Sequence, residues 1–208
     1  MVSKLYKVLF AINYMKGVID SFNVVKNLSV AKWKIVTKYE DLKVFGFPCY
    51  LKADVVGHKS GMGAVVKCNN FEDSEKKLKK MHLVFPKNKI IIQEIVEGIE
   101  MIIGLNSDSV FGKLLVVGFG GIFAEVQRDV SFRALPVSRK DIISMIKDLK
   151  GVEIFRVRSK KYDLEKFVTL IEKVAYLGEK LDIKELDLNP VIVGEKDSRV
   201  VDVRVRLG

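Results

Sequence analysis

The alternation of apolar and polar residues along the chain predicts short strands interrupted by helices. Helices are predicted over residues 5–15, 72–83, 138–150 and a segment that begins after Asp163. Short apolar runs predict strands at 24–25, 34–36, 47–52, 64–68, 90–92, 101–103, 114–117, 122–126, 130–135, 191–193 and 200–205. The pattern indicates an α+β fold in which helices interrupt antiparallel meanders.

Residues with capping or helix-breaking preferences set the expected ends of these elements. Gly17 and Gly151 are expected to stop helices, because glycine disfavours the helix interior. Ser138 and Asp163 are expected to start helices, because short polar side chains accept hydrogen bonds from the free amides there. Residues 191–205 are predicted to form a terminal hairpin.

Composition restricts the class of protein. The chain has 208 residues, of which 49% are apolar and 30% charged, and this balance excludes a disordered tail or a low-complexity scaffold. The longest apolar stretch, residues 114–124, is too short for a bilayer, which needs about 20 apolar residues. No small-residue cleavage site follows the N-terminus, and two cysteines form no disulfide framework. We therefore expect a cytoplasmic protein without a membrane partner.

The net charge of +10 is concentrated near the N-terminus, since residues 1–60 hold 10 Lys and Arg against 4 Asp and Glu. Such a surface attracts nucleic acid, an anionic partner or a phosphorylated ligand. A Lys-rich surface typical of proteins from hot environments explains the positive charge equally well. No run of five basic residues and no aromatic–basic RNA-binding motif occurs. Nucleic-acid binding is therefore disfavoured, and charge alone selects no function.

Two segments in the first half of the chain carry groups suited to a nucleotide. Lys52 ends an apolar strand, and a glycine-bearing loop with His58, Lys59 and Ser60 follows it. Amides and ammonium groups in such a loop stabilise phosphate oxygens. Residues 93–100, between two predicted strands, can offer backbone groups to an adenine and a carboxylate to a ribose. Taken singly, these features are more often a solvated strand end, an ordinary surface histidine and a charged hairpin.

Two segments in the second half also have candidate chemistry. Residues 118–133 begin with three glycines in an apolar run, which indicates close backbone approach to a ligand or another chain, or else a bend in a sheet. Asn189 and Asp202 are predicted on paired strands, where their oxygens suit Mg²⁺ shared with nucleotide phosphates. The alternative is a turn built from Asn189 and Pro190. The chain has neither a P-loop nor zinc-ligand spacing.

In this order, the four segments resemble the ATP-grasp β subunit of the ADP-forming acyl-CoA synthetases, and more distantly the succinyl-CoA synthetase β subunit. The resemblance runs from Phe47 to Arg204. It is carried by the strings FPCYLK, HKS, GIEMIIG, VFGKLLVVGFGGIFAEVQRDVSFRALP, ELDLNP and VVDVR.

The resemblance implies a fold and a set of ligand contacts. Residues 1–208 would form a single ATP-grasp domain, in which two α+β subdomains clasp ATP or ADP. Subdomain 21–92 would carry the phosphate loop, and residues 1–20 with 93–208 would carry the nucleoside and metal site. The residues that match the family's nucleotide contacts are Lys52, Lys59, Ser60, Gly61, Glu94, Val96 and Glu100, and those that match its magnesium ligands are Asn189 and Asp202.

The resemblance also implies a reaction, acyl-CoA + ADP + phosphate ⇌ carboxylate + CoA + ATP. His58 matches the family's second phosphohistidine, which relays a phosphoryl group from a partner subunit to ADP. Asp187 matches the acidic residue beside the incoming phosphohistidine loop. The implied partner is a CoA-binding α subunit with the first phosphohistidine, in an α₂β₂ assembly.

Two residues depart from the family's HKSDxGGV string, because Gly61 replaces the aspartate and Ala64 replaces the second glycine. They leave a second hypothesis open, in which the chain is a non-catalytic paralogue that keeps the ATP-grasp fold and scaffolds a partner subunit.

Overall fold

The computed structural model describes residues 17–55, 63–121, 129–156 and 162–208. Within these ranges the chain divides into two compact units. The small unit comprises residues 17–20 and 31–96, and the large unit comprises residues 21–30 and 97–208. The divisions thus fall after residues 20, 30 and 96, whereas the sequence-based subdomain boundaries lie after residues 20 and 92.

Helix α1 (Gly17–Val24) contains residues of both units, and it corrects two predictions. Gly17 is the first residue of the helix rather than a stop, and Val24 is its last residue rather than part of a strand. Phe22 and Val25 are both buried at helical spacing. Burial of these two side chains, three residues apart, favours a helix over a strand at this segment.

The small unit is built on one antiparallel sheet. In chain order it contains β1 (Trp33–Ile35), a 3₁₀ turn (Tyr39–Lys43), β2 (Cys49–Ala53), β3 (Val65–Cys68), α2 (Phe71–Val84) and β4 (Ile90–Glu94). The strand order is β1-β4-β2-β3. Leu78 and Met81 of α2 pack with Leu51 and Ile92 in the buried core of this unit.

The large unit is built on a second antiparallel sheet. Its elements are β5 (Ile99–Asp108), β6 (Gly112–Phe119), β7 (Val130–Ala134), α3 (Arg139–Lys147), a 3₁₀ turn (Val152–Arg156), α4 (Leu164–Lys180), β8 (Ile183–Val193), β9 (Ser198–Val200) and β10 (Val203–Leu207). The order is β10-β8-β5-β6-β7, and β9 also pairs with β8. A Cβ on Gly178 would lie 3.0 Å from Leu105 Cδ1, so the missing side chain lets α4 approach β5 closely.

The predicted α+β class is confirmed, and β5, β6 and β7 form the expected meander. Both predicted caps are also confirmed, because Ser138 accepts a hydrogen bond from the Asp141 amide at 3.3 Å and Asp163 accepts one from the Lys166 amide at 2.9 Å. The predicted helix at 5–15 and strand at 122–126 lie outside the described residues. None of the described helices has the length and hydropathy to span a membrane.

Candidate functional site

Lys52 lies within the sheet of the small unit. It pairs with Val65 on β3 and with Ile91 on β4, and only 4% of the residue is exposed. Lysine is rarely buried to this degree, because its ammonium group loses hydration and must be compensated by polar or anionic groups. The explanation of Lys52 as a solvated strand end is therefore wrong.

His58, Lys59, Ser60 and Gly61 lie outside the described residues, so their roles stay predictions. The two ends of this segment are nevertheless fixed. Strands β2 and β3 pair antiparallel, and beyond the last strand pair the Ala53 amide still donates to the Ala64 carbonyl at 2.8 Å. Strands β2 and β3 thus form an antiparallel pair, and the HKS string lies between them in the sequence.

Glu94 ends strand β4 with its carboxylate already oriented. Its Oε1 accepts a hydrogen bond from the Lys32 amide at 2.7 Å, and its own amide donates to the Lys32 carbonyl at 3.0 Å. Val96 follows in the link between β4 and β5 and is half-buried. Strands β4 and β5 belong to different sheets, so the explanation of residues 93–100 as a charged hairpin is wrong.

Glu100 lies near the start of β5 in the large unit, with its side chain exposed. Its carbonyl accepts a hydrogen bond from the Gly120 amide at 2.8 Å. Its carboxylate lies against Gly121, where a Cβ would overlap Oε2. The Glu100 side chain therefore occupies space that any residue other than glycine would fill.

The glycine-rich segment approaches its own chain closely. A Cβ on Gly118 would lie 2.6 Å from the Asp129 carbonyl oxygen, which no ordinary packing permits. The buried Asp129 carboxylate accepts hydrogen bonds from the amides of Lys150 and Gly151 at 2.9 and 2.8 Å. At Gly118 and Asp129 the segment therefore stabilises the fold of the large unit.

Strand β8 and the link after β9 hold three of the predicted site residues, each of which has an oxygen donor in its side chain. Asp187 pairs with Gly104 on β5 and with Arg204 on β10. Asn189 lies two residues further along the same strand, and its amide donates to the Asp202 carbonyl at 3.2 Å. All three donors are half-buried, so they remain accessible to a ligand.

Two details of this arrangement differ from the sequence-based expectation. Strand β8 continues through Asn189 and Pro190, so the explanation of this pair as a turn is wrong. The strand has a bulge opposite Met101 and Ile103, and bulges redirect side chains beside many active sites. Asp202 does not lie on a strand, because β9 ends at residue 200 and β10 begins at residue 203.

The donor chemistry fits Mg²⁺ held jointly with phosphate. In the described part of the chain, no group of three or more His, Cys, Asp or Glu side chains is placed to hold a metal ion. Mg²⁺ needs no such cage, because it keeps several waters and takes one or two carboxylates plus substrate phosphate oxygens. Asp202 and Asn189 can supply one carboxylate and one amide oxygen.

The sequence reasoning missed two residues at the site. Arg204 lies directly opposite Asp187, and such cross-strand pairs project their side chains on the same face of a sheet. Its position two residues after Asp202 was the available signal. Gly121 lies against Glu100, and no local sequence pattern indicates this contact.

Comparison with known proteins identifies the family. A profile described as an ATP-grasp domain matches residues 25–207. ADP-forming acetate–CoA ligase II of Archaeoglobus fulgidus is 36% identical over 172 residues, which are 80% of this chain and 25% of that protein. The β subunit of ADP-forming acetate–CoA ligase I of Pyrococcus furiosus is 30% identical over 198 residues, 86% of this chain and 85% of that subunit.

A solved structure agrees with these matches. The dinucleotide-forming acetyl-coenzyme A synthetase 1 of Ca. Korarchaeum cryptofilum, in complex with coenzyme A and Mg-AMPPCP, has a TM-score of 0.80 at 30% identity and covers 93% of both chains. The chain spans about a quarter of the length of the A. fulgidus ligase. The matches confirm the resemblance drawn from the motifs and the expected fold. The chain belongs to the ATP-grasp domain family, and its relatives include β subunits of ADP-forming acetate–CoA ligases.

Proposed function

We propose that this chain is the nucleotide-binding β subunit of a cytoplasmic ADP-forming acyl-CoA synthetase. The reaction is acyl-CoA + ADP + phosphate ⇌ carboxylate + CoA + ATP. The observation that carries the proposal is the pairing of Asn189 with Asp202, beside Asp187, in a chain whose relatives include β subunits of such ligases. The proposed partner is a CoA-binding α subunit that carries the first phosphohistidine, in an α₂β₂ assembly.

The nucleotide contacts follow from the matched motif positions. The proposed contacts to ADP or ATP are Lys52, Lys59, Ser60 and Gly61 on the phosphates, and Glu94, Val96 and Glu100 on the nucleoside. The position of Lys52 within the sheet, beside the start of the β2–β3 connection, supports its role, because a lysine ammonium group donates charge-assisted hydrogen bonds to phosphate oxygens. We propose that subdomain 21–92 binds the phosphates, and that residues 1–20 with 93–208 bind the nucleoside and the metal ion.

Asn189 and Asp202 are the proposed holders of Mg²⁺. A bound Mg²⁺ supplies charge neutralisation for the oxygens of the transferring phosphoryl group. The protein's own contribution is to keep the two donors adjacent, which the backbone hydrogen bond between them supports. That bond joins backbone atoms, so it does not depend on which ligand the side-chain oxygens bind.

The proposed chemical step is a relay through His58. A neutral imidazole nitrogen has the lone pair that a phosphoryl acceptor needs near neutral pH. The phosphorus–nitrogen bond to the α subunit's histidine breaks as a new one forms to His58. A β-phosphate oxygen of ADP then accepts the phosphoryl group, the bond to His58 breaks, and ATP forms. The Asp187 carboxylate would orient an imidazole during the transfer.

Two measurements test this function. Calorimetry of the full chain should detect ADP binding that strengthens when Mg²⁺ is added. Co-expression with the CoA-binding subunit of the same organism should give a complex that forms ATP from acyl-CoA, ADP and phosphate. ADP binding without any ATP formation by the complex would favour the non-catalytic paralogue suggested by Gly61 and Ala64. Failure to bind ADP even in the complex would contradict the proposal.

A further inference from the structure

The Glu100 side chain is exposed, but neighbouring segments fix its backbone. The hydrogen bond from the Gly120 amide fixes its carbonyl, and pairing with Ile192 on β8 fixes its place in the sheet. Only the side chain can then change its position. An exposed glutamate has several rotamers to choose from, so a neighbour that selects one of them affects any ligand that the carboxylate binds.

Gly121 is such a neighbour. Its φ of +59° lies in the left-handed region, and all three atoms near a Cβ built on it belong to Glu100. Gly112 has a similar φ of +71°, but nothing lies within 4 Å of its Cβ position. Backbone conformation alone explains a glycine at 112. At 121, the absent side chain also provides the space that the carboxylate occupies.

We infer that Gly121 is a positioning residue, whose missing side chain seats the Glu100 carboxylate in the orientation that binds the ribose hydroxyls of the nucleotide. The inference rests on the proposed function, in which Glu100 contacts the nucleoside. A carboxylate that is already oriented loses less side-chain freedom when the nucleotide binds, and this raises the affinity. A methyl group at position 121 displaces the flexible end of Glu100 but no backbone, so the substitution perturbs orientation more than folding.

The test compares Gly121→Ala with Gly112→Ala, which adds the same methyl group at a left-handed glycine in open space. Calorimetry on the full chain would measure Mg²⁺-dependent binding of ADP and of 2′,3′-dideoxy-ADP. Gly121→Ala should weaken ADP binding by roughly tenfold, the effect of losing a well-placed charged hydrogen bond. It should also bring the two affinities close together. Gly112→Ala should preserve the affinity for ADP and the preference over the dideoxy analogue.

Glu100→Ala and the double variant Glu100→Ala/Gly121→Ala complete the cycle. If Gly121 acts through Glu100, the double variant binds ADP no more weakly than Glu100→Ala alone. The same logic applies to folding, since removal of Glu100 removes the overlap. The double variant should therefore regain any thermal stability that Gly121→Ala loses beyond the loss in Gly112→Ala.

The outcomes distinguish a failure of the positioning role of Gly121 from a failure of the proposed nucleoside contact of Glu100. If Glu100→Ala loses the preference for ADP while Gly121→Ala behaves like Gly112→Ala, the positioning role is wrong and the nucleoside contact stands. A further tenfold loss in the double variant also overturns the positioning role. If Glu100→Ala keeps the full preference for ADP over the dideoxy analogue, the proposed nucleoside contact is wrong as well.

Discussion

Asp202→Asn is the substitution that isolates the proposed metal ligand from the fold around it. Two backbone hydrogen bonds hold this link, one from the Asn189 amide to the Asp202 carbonyl at 3.2 Å and one from the Val201 amide to the Pro190 carbonyl at 3.0 Å. Both survive the change. Asparagine also keeps the size of the side chain and one oxygen, so the substitution removes mainly the negative charge.

The expected loss follows from the charge and from its exposure. A carboxylate and a divalent cation 4 Å apart interact by about 8 kcal/mol at an effective dielectric constant of 20. Asp202 is half-buried, so solvent screens most of this interaction. Retaining roughly a sixth of it gives about 1.4 kcal/mol, which is a tenfold change in an equilibrium constant. Asp202→Asn should therefore raise the Mg²⁺ concentration for half-maximal ADP binding by about tenfold.

The assay is titration of Mg²⁺ at fixed ADP, followed by calorimetry or by the fluorescence of a labelled ADP. Asp182→Asn is the matched control, because this exposed aspartate lies just before the start of the same strand and pairs with Lys184 at 3.1 Å. The control should titrate like the wild type, and ADP binding without Mg²⁺ should be equal in all three proteins. The same Mg²⁺ requirement in Asp202→Asn and Asp182→Asn would refute the assignment.

Two further substitutions test the small unit. Lys52→Met should weaken ADP binding by tenfold or more, because a charge-assisted hydrogen bond contributes about 1.5–3 kcal/mol. Lys67→Met, which changes an exposed side chain on β3, should not weaken it, and equal ADP affinities of the two variants in calorimetry would contradict the phosphate role. Lys34 at 2.6 Å and Thr37 hold the pKa of Asp41 well below its usual range. The ionised carboxylate therefore stabilises the fold above the unfolded pKa of about 3.9, and this contribution is lost as the pH falls through the lower folded pKa. Asp41→Asn should lower the urea midpoint at about pH 7 and progressively less below about pH 4, and a constant deficit across that range would contradict this account.

The sequence predicted those features that depend only on residues close together in the chain, such as helix caps. Ser138 and Asp163 cap helices because a short polar side chain satisfies amides only three residues away. The meander of β5, β6 and β7 was predicted because runs of β-branched residues are separated there by glycine and short polar residues. These parts of the fold need no knowledge of distant contacts.

The sequence could not predict what depends on packing between distant segments. Val24 and Val25 resemble a strand locally, but burial of Phe22 and Val25 makes the segment around Val24 the end of a helix. The Asn189–Pro190 pair resembles a turn, but its place between two partner strands keeps it extended. The contact between Glu100 and Gly121 depends on the pairing of β5 with β6, which no short motif encodes.

The most direct test of the central claim is phosphoryl transfer through His58. The chain, in complex with its CoA-binding subunit, would receive acyl-CoA and radiolabelled phosphate, and label on the β chain and in ATP would be measured. His58→Ala should abolish both the acid-labile, base-stable label on the β chain and the formation of ATP, with little change in ADP affinity. His82→Ala, in the exposed last turn of α2, should behave like the wild type. Near wild-type ATP formation by His58→Ala would contradict the relay.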